Sequence, residues 1–84
     1  MTAPTIHSNG TGKQTLIDGL CDAADALNAA YAALKKCAPN GRDYYVQGGN
    51  AMERATAEHM DRLKRLDAIK EEIDALTIAI DDSE

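Results

Sequence analysis

The chain contains no phenylalanine and no tryptophan, so its core must be filled by aliphatic side chains and three tyrosines. Eighty-four such residues allow one domain with a thin core. No apolar run approaches the ~20 residues that span a bilayer, and the first residues offer neither the basic nor the apolar segment of an export signal. A soluble, cytoplasmic protein is expected. Cys-x-x-Cys and His-x-x-x-His spacings are both missing, so neither a zinc site nor a cofactor is expected. Cys21 and Cys37 would lie roughly 24 Å apart on one helix at about 1.5 Å per residue, too far to pair with each other. They read as a helix-flank residue and a small buried hydrophobe.

Clustered positive charge is lacking too. The formal net charge is −5, with residues 1–38 and the middle of the chain balanced and the acidic excess in 51–84. Bulk nucleic acid and anionic membranes bind through grouped Lys and Arg, so neither is expected as a partner.

What the chain does have is helical periodicity on both sides of one polar stretch, 39–50. Residues 1–10 contain Pro4, Asn9 and Gly10 and read as an extended arm around Thr5-Ile6-His7. Thr11 and Gln14 have capping-box spacing, which starts a helix over about 12–38. Its apolar residues form heptads: Leu20, Leu27 and Leu34 on one seam position, Leu16, Ala23, Ala30 and Cys37 on the other. Pro39 then makes further helix costly, and Asn40-Gly41 supplies turn residues. Asn50 and Glu53 cap a second helix over about 51–80. Its buried stripe is Met52, Ala55, His59, Leu66, Ile69, Ile73, Leu76 and Ile80, with Leu63 on the edge. Arg54–Glu58, Glu58–Arg62, Asp61–Arg65 and Lys70–Asp74 read as solvated pairs on the opposite face. Residues 81–84 read as an acidic end outside the helix.

These elements predict an all-α fold, an antiparallel two-helix hairpin with a long polar connector. One alanine-rich seam buries too little apolar surface to order two helices of that length. A homo-oligomeric helical bundle is therefore expected, most simply a dimer of hairpins.

Chemistry is concentrated in the connector. Arg42 offers a forked donor for phosphate, Tyr44 and Tyr45 offer faces on which a base can stack, and Gln47 can read polar edges. Gly48-Gly49 would let backbone N–H groups approach an anion. With the helix ends level at the connector, His59 would face Tyr31, either as a hydrogen-bonded core pair or as the floor of a pocket beneath those loop residues. The alternative for the connector is structural: an Arg42–Asp43 pair, capping tyrosines and glycines that turn the chain. No nucleophile stands beside His59, so no catalytic residue is assigned and no enzyme is expected.

At Asn40-Gly41-Arg42-Asp43-Tyr44-Tyr45-Val46-Gln47-Gly48, followed by Glu58-His59 and Arg62-Leu63, the chain resembles a group of short tailed-phage and prophage proteins. Those join two helices through an Asn-x-Arg-Asp-Tyr-Tyr-x-Gln-Gly connector. Val46 stands where many members carry proline. Some other small helical phage proteins sequester nucleotide signals of bacterial defence. That architectural analogy supports the ligand reading of the residues: a non-enzymatic protein that holds a small nucleotide-type ligand through 40–50, with Arg42, Tyr44, Tyr45, Gln47, His59 and Tyr31 as binding residues, is expected. The alternative is a protein-interaction module that docks on a host or phage protein through its acidic second helix.

Overall fold

A computed structural model describes residues 1–83. Two long helices, α1 (Lys13–Lys35) and α2 (Ala51–Asp81), pack against each other. Between them lie two single-turn 3₁₀ helices, Gly41–Asp43 and Tyr45–Gln47. No strand occurs among the described residues. The molecule is a rod of 62 × 20 × 17 Å.

The helices are antiparallel, because the Lys13 Nζ at the start of α1 donates to the Ser83 carbonyl just past the end of α2 at 2.8 Å. Nearer the connector, Leu34 of α1 shares a groove with Arg62, Arg65, Leu66 and Ile69 of α2. These two contacts fix the register. Leu34, one residue from the end of α1, lies beside residues three to five turns into α2. The first three turns of α2 therefore extend beyond α1, and the connector folds back along them, its second 3₁₀ turn packed on α2.

Helix ends depart from the sequence expectation. Gly12, not Thr11, precedes α1, with no side-chain cap; Gln14 donates instead to Asp18 Oδ1 at 2.7 Å. At the other end α1 stops at Lys35, before Ala38. Pro39 disfavours helical geometry at the residue before it and has no N–H for the Lys35 carbonyl. The last turn tightens instead, with Lys36 N donating to Ala33 O at 3.2 Å and Cys37 N to Leu34 O at 2.9 Å. Asn50 does precede α2, but its Oδ1 accepts from Arg54 Nη1 rather than capping the backbone. The expected Arg54–Glu58 pair is accordingly missing among the described residues. Glu58–Arg62, Asp61–Arg65 and Lys70–Asp74 do form, at 3.9, 2.9 and 3.5 Å. Asp81 ends α2 and Asp82 is its cap, so the acidic end begins inside the helix; Glu84 lies outside the described residues.

The core is thin. Ala51, His59, Leu63 and Ile80 are the buried members of α2, and α1 buries none of its side chains. Leu63, expected at the edge, is central, whereas Ile69 is 48% exposed. Cys37, read as buried, is exposed, with Sγ donating to the Ala33 carbonyl at 3.6 Å. Its position just past the end of α1 takes it off the helical stripe. No helix among the described residues is long and apolar enough to cross a membrane.

Candidate functional site

The connector is built by short-range bonds that turn its side chains outward. Asn40 Oδ1 accepts the Arg42 N–H at 3.0 Å and so starts the first 3₁₀ turn. Asp43 N donates to Asn40 O at 2.9 Å, Tyr44 N to Gly41 O at 3.1 Å and Gln47 N to Tyr44 O at 3.1 Å. Gly48 and Gly49 then adopt φ of +68° and +58°. Left-handed backbone at two successive positions explains this glycine pair, since a Cβ is disfavoured there. Gly48 donates its N–H to the Tyr45 carbonyl at 3.3 Å, which removes it as an anion donor.

Arg42, Tyr45 and Gln47 are exposed, Tyr45 to 76%, while Tyr44 is half-buried. Neither an ion pair nor a side-chain hydrogen bond engages the Arg42 guanidinium among the described residues; the local Arg42–Asp43 pair does not form. A cationic fork, an exposed aromatic face and an amide thus project from the connector within a few residues of one another.

His59 lies below them. It is 5% exposed, and its Nε2 is buried with no hydrogen-bond partner. The register explains the burial. Because His59 sits two turns before Leu66, which lies beside Leu34, it faces residues that follow the end of α1. The connector, whose second 3₁₀ turn packs on α2, follows the end of α1. Tyr31, one turn before Leu34, instead faces the part of α2 after Leu66. The expected pairing of His59 with Tyr31 is therefore corrected: the helix ends are not level, α2 overshoots α1 by about three turns, and a count made outward from the connector slips by that amount. Tyr31 is half-buried in the α1–α2 seam.

A buried imidazole nitrogen without a partner costs about 1–3 kcal/mol. In the tautomer that places the proton on Nε2 it is a donor, in the other an acceptor. Cys37, which the register brings to a similar level of the rod, turns its thiol to Ala33 and stays exposed. No bond joins it to His59 as nucleophile to base. No group of three or more potential metal-ligating side chains occurs among the described residues.

Sequence reasoning missed the groove of about 310 Å³ that opens between the helices, lined by Leu34, Arg62, Arg65, Leu66 and Ile69. The signal was present: Arg62, Leu66 and Ile69 follow helical spacing on one face. Arg62 and Arg65 are also members of the solvated pairs that the sequence predicts.

No protein-family model matches the chain, and no curated protein or solved structure matches it.

Proposed function

We propose that the hairpin is a non-enzymatic binding protein that takes a small anionic ligand of nucleotide type at its connector end. One observation carries the reading: the buried Nε2 of His59, without a partner, on the helix against which the connector that displays Arg42, Tyr45 and Gln47 packs. Retaining an unpaired polar atom in so thin a core makes physical sense when a ligand group completes its hydrogen bond. Arg42 would engage phosphate, Tyr45 and Tyr44 the base, and Gln47 a polar edge. Tyr31 belongs to the seam in this reading and not to the site. With the resemblance to phage proteins, the role would be sequestration of a host signalling nucleotide from its effector. Isothermal titration with cyclic dinucleotides and ADP-ribose derivatives tests it. Micromolar or tighter binding that Arg42→Ala abolishes, at unchanged helicity, is expected; binding unaffected by that substitution rejects the residue assignment.

A second reading, a protein-interaction module, is favoured by the exposed carboxylates Asp67, Glu71 and Asp74 on α2. Charge reversal at Asp67, Glu71 and Asp74 breaks a pull-down complex if the acidic helix is the docking surface, and leaves it intact if it is not.

A further inference from the structure

One broad side of the hairpin carries exposed alanines of α1 beside an open groove. The groove between Leu34 and Ile69 marks which side it is. Along α1 that side carries Ala33, which adjoins Leu34, and then Ala30, Ala26 and Ala23, separated alternately by three and four residues. Ala26, Ala30 and Ala33 are exposed. Followed along α2 from Ile69, the same side carries Leu76, and Ile69 itself is 48% exposed. The opposite broad side presents Asn28 and Lys35 from α1 with Lys70 and Asp74 from α2, and at the spacing of Asp74 also the exposed Met60 and Ile78. Alanine at heptad spacing on an exposed helix face leaves room for another helix to approach to about 8 Å.

Folding back also sorts the charges in a way that the linear sequence hides. Seven of the nine Lys and Arg residues, but four of the fourteen Asp and Glu, fall between positions 35 and 66, at the connector end. That end is +3 and the remainder of the chain −8, which together give the overall −5. The rod is electrically polar along its length.

We infer that the alanine side binds a second copy of the chain in antiparallel orientation, each connector end lying against the far end of its partner. The charge distribution selects the orientation: parallel hairpins would set +3 beside +3 and −8 beside −8, whereas antiparallel ones pair opposite signs. Arg62 and Arg65 at the rim of the groove then meet the acidic half of the other protomer. The interface does not involve the connector site and stands or falls separately from ligand binding.

Light scattering coupled to size exclusion, at about 100 μM protein, tests the partner. Wild type should show twice the monomer mass of 9.0 kDa. Ala30→Glu, at an exposed position, should be monomeric with helical circular dichroism retained. Arg62→Glu combined with Arg65→Glu serves as a second probe and should weaken association at least about tenfold. Orientation is read from the distance between nitroxides attached through Val46→Cys in a Cys21→Ser, Cys37→Ser background. Antiparallel packing places them above about 40 Å apart, and parallel packing below about 30 Å. A monomeric wild type, a dimer indifferent to both sets of substitutions, or the short distance would each overturn the inference.

Discussion

Lys13 and Ser83 are 70 positions apart in sequence, yet the ammonium of one donates to the carbonyl of the other at 2.8 Å. This contact closes the open end of the hairpin and satisfies a carbonyl just beyond α2. Together with the Leu34 groove it sets the register that leaves His59 level with residues past the end of α1 instead of opposite Tyr31.

Lys13→Met keeps most of the aliphatic stem and removes the donor. The loss should be about 0.5–1.5 kcal/mol of stability, the usual net worth of one hydrogen bond. Amide exchange at residues 80–82 should accelerate more than exchange near Leu63, as measured by NMR. Uniform acceleration along α2 would show that the contact does not hold the end locally.

His59→Leu separates stability from binding. It replaces an imidazole bearing an unpaired buried nitrogen with an apolar side chain, so urea denaturation should show a gain of about 1–2 kcal/mol. The same substitution should abolish ligand binding, a trade expected where a strained or unsatisfied group serves function. A destabilised variant would mean that Nε2 has a partner in solution.

Glycine substitutions should split by backbone geometry. Gly48→Ala and Gly49→Ala each force a Cβ into left-handed φ and should cost about 1–2 kcal/mol. Gly19→Ala, inside α1 with open space around the new methyl, should stabilise by about 0.5–1 kcal/mol. Thermal denaturation of the three variants distinguishes these directions.

The helices were legible in the sequence because each repeats one apolar pattern over several turns. The assignment of all-helical hairpin followed from Leu16 to Leu34 and from Met52 to Ile80. Register was not legible. Counting outward from the connector assumes level helix ends, and local spacing carries no information about a connector that folds back along α2. The caps failed for a related reason: Asn50 had two partners in reach, the backbone and Arg54, and the guanidinium took the oxygen. Arg42, Tyr44, Tyr45 and Gln47 could be nominated from residue type alone, but the unpaired nitrogen of His59 is a property of packing.

Packing also sets the contrast between two aliphatic residues of α2. Leu63→Ala should cost about 2–4 kcal/mol, because Leu63 is 5% exposed, whereas Ile69→Ala should cost less than half of that in monomeric protein. Equal losses measured in an Ala30→Glu background, where association is removed, would contradict the placement of Ile69 outside the hairpin's own core.

The most direct measurement of the central claim is a ¹⁵N and imidazole NMR titration of the wild-type protein with cyclic dinucleotides and ADP-ribose derivatives. Binding at the connector end predicts saturable shifts at residues 42–48 together with the His59 ring, and none of them in Arg42→Ala. Absence of shifts across the panel, or shifts confined to the Leu34–Ile69 groove with the His59 ring unmoved, would contradict it.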